Sequence, residues 1–330
     1  MKLKNNPILR SSKIKVGLTI GDPAGIGPAI TLKALKLLKD KADFTVIGDS
    51  FVLAEAARVL KINSLPAQFI DLKNVARKGF VFGRVNSRNG SASLEYLDTA
   101  VKLLKDERLD CLVTCPISKE AINLAGSKFS GHTEYLADKF NCQDLIMLLI
   151  NSKFRFSLVT RHIPLKDVSG NLTKSKLENN ILNTVEGLKK LFLIPKPRIV
   201  VCGFNPHASD NGVIGTEELR VIKPAIAALK RKCGAAVITG PLPADVAIKE
   251  ADKGIFDCVI ALYHDQALIP LKLTDFDSGV NLTLGLPFVR TSPLHGTAFD
   301  LAIKPELANP NSLVSAVALA IKCTLNQKKA

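Results

Sequence analysis

Residues Lys13–Asp40 read KIKVGLTIGDPAGIGPAITLKALKLLKD. The first eight form an apolar run of strand length. Gly21–Pro28 is a glycine-rich turn, and Ala29–Asp40 has helical spacing. Pro28 falls where a first helical turn tolerates a missing N–H. Strand, glycine turn and helix is the grammar of an anion- or cofactor-binding loop. The turn is not G-x-G-x-x-G, so a plain tight connection remains the alternative reading.

The alternation continues along the chain. Strands are expected at Asp43–Gly48, Cys111–Thr114, Phe156–Thr160, Arg198–Cys202, Ala236–Thr239 and Asp257–Leu262. Helices are expected at Phe51–Leu60, at Ser91–Leu104 with Leu94, Leu97, Val101 and Leu104 on its buried face, within Val168–Leu191, and at Leu313–Leu325. Short strands and turns fill Leu65–Gly90. Strands alternating with helices predict an α/β fold with a mostly parallel sheet. At 330 residues the chain is long enough for two lobes.

Composition narrows the function. Hydrophobic content of 47% with 23% charged residues is ordinary for a globular enzyme. No apolar run reaches the roughly 18 residues of a spanning helix. The N-terminal MKLKNNPILRSSK has no apolar core and is read as a frayed tail rather than a signal peptide. Seven cysteines, an odd number without a C-x-x-C pair and mostly in apolar surroundings, read as reduced and buried, which fits a cytoplasmic protein. The net charge of +15 raises nucleic-acid binding as a possibility. Against it, the longest basic run is Lys230-Arg231-Lys232, aromatics make up 5% and tryptophan is absent. A generally basic surface that collects phosphorylated small molecules is the preferred reading.

The chemistry-bearing residues concentrate in Tyr263–Ala302, which holds His264, Asp265, Lys272, Asn281, Arg290, His295 and Thr297 between apolar runs. These polar groups are expected at strand ends and in loops. Arg290 follows the apolar run Leu284–Val289, which points it inward. Upstream, His162, His207 and His264 each follow a predicted strand, and Asp245 follows another. Parallel strand ends on one edge converge, and neutral imidazoles are common ligands of a divalent ion. Scattered, individually satisfied histidines are the competing explanation. Lys119 opens a helix after a strand end, suited to an anion; His132 or Thr133 sits near a helix cap. Glu217-Glu218 opens another helix, where acidic side chains favour the positive dipole end.

Several of these stretches carry a family resemblance: Tyr263-His264-Asp265-Gln266, Leu284-Gly285-Leu286-Pro287, His295-Gly296-Thr297-Ala298, Cys115–Gly126 and Gly131–Leu136. They resemble the 4-hydroxythreonine-4-phosphate dehydrogenase family of vitamin B6 synthesis, over nearly the whole chain. The resemblance implies two lobes like those of the decarboxylating isocitrate and isopropylmalate dehydrogenases. One lobe would be residues 1–130 with 296–330, the other 131–295, with the active site in the cleft between. It implies oxidation of 4-phosphooxy-L-threonine, a small phosphorylated hydroxy amino acid, with NAD or NADP as acceptor. The β-keto acid then loses carbon dioxide to give 3-amino-2-oxopropyl phosphate.

The family's metal ligands map onto His162, His207 and His264, for one divalent ion (zinc, magnesium or cobalt) shared across a homodimer interface. Its substrate contacts map onto His132, Thr133, Lys272, Asn281 and Arg290. Lys272, Asp245 and Asp265 are the expected catalytic groups. His295, Gly296, Thr297, Ala298 and Asn309 are the expected cofactor segment. The chain departs from the family pattern at Ser209, Leu294 and Ile303. The last two flank the cofactor segment and bear on the choice between NAD and NADP. Alternatives are a related dehydrogenase for another phosphorylated hydroxy acid, such as a 4-phosphothreonate, and a phosphotransacetylase-like transferase. No nucleic acid and no membrane are expected as partners.

Overall fold

The computed structural model describes residues 13–63, 67–229 and 232–329. The N-terminal tail Met1–Ser12 lies outside the described residues, as do Lys230 and Arg231 of the basic run.

The opening stretch folds as its pattern dictates. Strand β1 is Lys15–Thr19, and the helix after the glycine turn is Gly27–Leu38, with Pro28 in its first turn. Every residue from Gly21 to Ile30 is buried. Gly21 has φ +72°, and an added Cβ there would lie 2.2 Å from the carbonyl oxygen of Pro116. At Gly27 an added Cβ would lie 1.9 Å from the carbonyl oxygen of Ile20. These glycines therefore serve a closely packed connection, and no open phosphate cradle exists at this turn.

Ten further strands follow: β2 Asp43–Gly48, β3 Gln68–Asp71, β4 Cys111–Thr114, β5 Ile146–Ile150, β6 Arg155–Leu158, β7 Arg198–Cys202, β8 Val237–Leu242, β9 Cys258–Ala261, β10 Val280–Leu284 and β11 Val289–Pro293. They form one eleven-stranded sheet in the order β3-β2-β1-β4-β11-β10-β5-β6-β9-β7-β8. Seven of the ten pairings are parallel, as expected. The three antiparallel pairings, β11–β10, β10–β5 and β5–β6, lie together in the middle. They reverse strand polarity, so β4 and β11 point one way while β6, β9, β7 and β8 point the other. The periodicity did not reveal β5, β10 and β11: β5 (IMLLI) is a short apolar run without alternation, whereas β10 (VNLTL) and β11 (VRTSP) bury polar residues that an apolar pattern does not mark.

Helices cover both faces. Asn311–Gln327 packs on β11, on β4 and on the helices Gly27–Leu38 and Lys174–Phe192, so it ties the two ends of the sheet together. The helix expected from Ser91 begins at Ser87, because Asn86 caps it by accepting the Arg88 N–H at 2.8 Å. Its buried face centres on Tyr96, Leu97, Ala100 and Val101, with Leu94 and Leu104 at the margins. All seven cysteines are free, and all but Cys142 are buried.

Two outcomes follow from the buried turn. Gly27→Ala is expected to lower stability by about 3 kcal/mol, since backbone must move to admit the methyl. Gly170→Ala, where nothing lies within 4 Å, serves as the neutral control in the same denaturant titration. Asp22 is fully buried; its Oδ1 accepts the Ala24 N–H at 2.9 Å, while Oδ2 has no partner. Burial pushes its carboxyl up to about 6. A carboxyl raised in the folded state begins to cost stability as pH climbs past its unfolded value, and the full cost is present above the folded value. Asp22→Asn should therefore stabilise the chain more at pH 7 than at pH 4, by on the order of 3 kcal/mol.

Candidate active site

A cavity of ≈ 170 Å³ lies over the middle of the sheet. Residues that follow β4 (Pro116, Lys119) and residues that follow β6 (Arg161, His162) meet here from opposite sheet edges, and β10 and β11 form the floor. Asn281 and Arg290 therefore reach the site from within strands, not from the loops expected for them. A position inside a central strand fixes a side chain more rigidly than a loop does.

Arg290 dominates the electrostatics. It is 2% exposed, and it makes no ion pair among the described residues. Its guanidinium donates to Thr283 Oγ1 at 3.0 Å and to Thr114 Oγ1 at 2.6 Å, and its Nε has no partner. Burial brings its pKa down to about 10, against some support from Glu134. Asn281 Oδ1 beside it is also buried without a partner.

His132 and Thr133 complete this wall. They open the helix His132–Phe140, but the cap residue is Gly131 and neither side chain caps. His132 Nε2 is buried and unpartnered. Burial and then the Arg290 charge hold its imidazole well below the ordinary range, so it is neutral at physiological pH. Lys119 opens the helix Lys119–Leu124, whose N-terminus Ser118 caps by accepting the Ala121 N–H at 3.1 Å.

The three candidate metal histidines follow β6, β9 and β7, adjacent parallel strands that end at one edge. His162 and His264 come together, with ring centroids 5.7 Å apart. Two imidazoles on one tetrahedral ion, at a metal–nitrogen distance of about 2.1 Å, place their centroids roughly 5 Å apart. His264 Nδ1 contacts Asp265 Oδ1 at 2.6 Å, which leaves Nε2 free to face an ion. Burial, then Lys119 and His264, lower the pKa of His162 and favour the neutral form a metal requires. His207 does not join them: among the described residues no three His, Cys, Asp or Glu are arranged to hold a metal.

His207 lies in a left-handed run, His207–Asn211, with φ between 44° and 70°. Such residues cost energy and persist only where neighbours hold them. Here the anchor is Glu218, expected at a helix start for its charge but fully buried. It accepts the N–H groups of Phe204 and Asn205 at 2.8 and 2.7 Å. Ser209, the departure from the family pattern in this loop, sits at φ +70° and its Oγ accepts the Gly212 N–H at 3.2 Å.

The remaining candidates scatter. His295 and Gly296 line the cavity. The Thr297 carbonyl accepts the Ile26 N–H at 2.8 Å, which seats this segment on the glycine turn. Ala298 has φ +41° and leads into Phe299–Ala302. Asn309 Oδ1 accepts the Asn311 N–H at 2.9 Å. Asp245 is exposed on the first turn of Ala244–Asp252. Lys272 is exposed on His264–Thr274, its Nζ 5.5 Å from the Phe276 ring, and lines neither this cavity nor its neighbour. Sequence reading missed Arg161, Thr114, Thr283 and Ser292; the hydroxyl residues are buried within strands, where no motif marks them.

Comparison with known proteins gives one family. The model of "Pyridoxal phosphate biosynthetic protein PdxA" matches residues 40–320. A 4-hydroxythreonine-4-phosphate dehydrogenase of Sulfurihydrogenibium sp. is 40% identical over 319 residues, covering 93% of this chain and 98% of its own. One from Desulfosudis oleivorans is 42% identical over 327 residues, covering 93% and 95%. The crystal structure of the Klebsiella pneumoniae 4-hydroxythreonine-4-phosphate dehydrogenase superposes with a TM-score of 0.83 at 35% identity, covering 95% of this chain and 100% of that one.

A lone buried guanidinium is costly in the ligand-free protein. Arg290→Met is therefore expected to melt no lower than the parent chain without ligand. It should also lose part of the stabilisation that inorganic phosphate confers on the parent, both read by thermal shift.

Proposed function

The chain belongs to the PdxA family of pyridoxal phosphate biosynthetic proteins and is a dehydrogenase, and from that premise we propose that it oxidises 4-phosphooxy-L-threonine in this cleft. The observation that carries the substrate reading is Arg290: a guanidinium shut away from water, in no ion pair among the described residues, calls for an anion. Asn281, Thr133 and neutral His132 stand beside it as hydrogen-bonding groups for a phosphate or carboxylate. The two-lobe division at residues 130 and 296 belongs to this proposal.

His162 and His264 are the proposed metal ligands, with His207 the third. Because one chain gathers two of the three, a second copy of the chain would supply the missing imidazole, together with Lys272. Zinc or cobalt suits imidazole ligands; magnesium suits them less. A divalent ion held there would lower the pKa of the substrate hydroxyl and favour hydride loss. NAD or NADP, on the segment His295–Ala298 and Asn309, would take the hydride. Asp265, through His264, would orient the imidazole, and Asp245 or Asp265 would receive the hydroxyl proton. The product of that step is a β-keto acid. Loss of its carboxylate as carbon dioxide leaves an enolate, which the Lys272 ammonium would stabilise and protonate to give 3-amino-2-oxopropyl phosphate.

Incubation with 4-phosphooxy-L-threonine and NAD or NADP should generate reduced cofactor with added zinc or cobalt, and a chelator should abolish it. Absence of reduced cofactor under metal-replete conditions would sink the assignment. His207→Ala and His264→Ala should each lose activity by about 100-fold or more. If the site is shared across a dimer, mixing two separately inactive ligand variants should restore part of it.

A further inference from the structure

We propose that the chain carries a second oxyanion subsite, centred on Arg161, in a cavity that adjoins the Arg290 cavity at His162; this rests on the substrate reading above and extends it. A larger cavity, of ≈ 420 Å³, opens between the segment after β6 and the helix Lys174–Phe192. It shares Lys119, Glu134, Arg161 and His162 with the Arg290 cavity, so these four residues form a common wall.

Arg161 Nη1 is buried and has no hydrogen-bond partner. Lys119 and Lys176 also face this cavity, and none of the three cations makes an ion pair among the described residues. Lys176 has only a long contact, 3.5 Å, to Asn171 Oδ1. Two carboxylates line the rim. Glu134 is exposed, and Asp144 Oδ2 takes an N–H from Asn179 at 2.9 Å. Neither neutralises the arginine.

The cavity is rigidly framed. Asn180 Nδ2 donates to the Leu158 carbonyl at 2.8 Å, and its Oδ1 accepts from Ser157 Oγ at 2.9 Å. Thr184 Oγ1 donates to Ser157 Oγ at 2.8 Å. These bonds pin the helix bearing Lys176 to the strand that leads into Arg161. Lys176 also lies in the first turn of that helix, at its positive end.

A buried arginine donor without an acceptor is an unfavourable arrangement that an oxyanion would resolve. The proposed substrate has an anion at each end, a phosphate and a carboxylate, with the hydroxyl-bearing carbon between. Two adjoining cationic cavities that share His162 match that pattern. The structure thus assigns one oxyanion to Arg290 and the other to Arg161. Substrates lacking either anion would be discriminated against.

The test is calorimetric titration of the full chain with inorganic phosphate, followed by steady-state kinetics. Two phosphate equivalents per chain are expected, one lost in Arg161→Ala and the other in Arg290→Ala. Arg161→Ala should raise KM for 4-phosphooxy-L-threonine roughly 10- to 100-fold, the worth of a hydrogen bond to a charged group. Arg161→Lys should recover part of it, and Lys176→Ala, at an exposed position, should raise KM by a smaller factor. These variants serve if Arg161→Ala fails to fold. Inhibition by an amino alcohol phosphate that lacks the carboxylate separates the two sources. Unchanged inhibition in Arg161→Ala assigns the carboxylate to Arg161, and weakened inhibition assigns the phosphate. One phosphate equivalent in the parent chain, or KM within twofold in every Arg161 variant, overturns the subsite while turnover leaves the dehydrogenase assignment intact. Arg161-dependent phosphate binding without turnover does the reverse.

Discussion

A positive charge enclosed in the middle of a β-sheet organises this molecule. Arg290 lies in β11, and the two hydroxyls that steady it come from β10 and β4 on either side. Hydrogen bonds to hydroxyls orient a guanidinium, but they do not cancel its charge. The fold therefore holds a desolvated cation in place at a cost in stability, a cost that an anionic ligand would relieve. His132 is consistent with this: burial, and then the same charge, keep it neutral, so it adds no second cation to repel.

The middle of the sheet also decides which loops can meet. In an all-parallel sheet every strand would deliver its following loop to one edge. Here the antiparallel pairings of β10 and β5 reverse the polarity. The loops after β1 and β4 thus emerge at one edge, and those after β6, β9 and β7 at the other. The cavity over β10 and β11 is where the segments after β4 and β6 come together. Arg290 and Lys119 on the one hand and the His162 imidazole on the other consequently come from different halves of the sheet and line one cavity. The same geometry leaves His207 apart, held in a left-handed turn by the buried Glu218. That turn invests strain in the position of one imidazole, a common feature of functional loops.

Much of this was legible beforehand. The strands Asp43–Gly48, Cys111–Thr114 and Arg198–Cys202 lie where their apolar runs place them, because buried parallel strands are short and continuous in hydrophobicity. The helix Gly27–Leu38 follows from spacing and from Pro28. The candidate roles of His132, Asn281 and Arg290 came from motif resemblance, whereas Arg161 had no motif to mark it. Lys272 and Asp245 stand away from the cavity in a single chain, and nothing in their local sequence distinguishes a residue that serves its own chain from one that serves a neighbour.

Local sequence determined the alternation of strand and helix and the place of the glycine turn, since each depends on residues within a few positions of one another, and its motifs marked the family. Only the tertiary structure decided that Arg290 has no ion-pair partner among the described residues, that His162 and His264 adjoin while His207 does not, and that Arg161 lines two cavities. Those are properties of strand order and polarity, which join residues more than a hundred positions apart, and no periodicity within a segment records them.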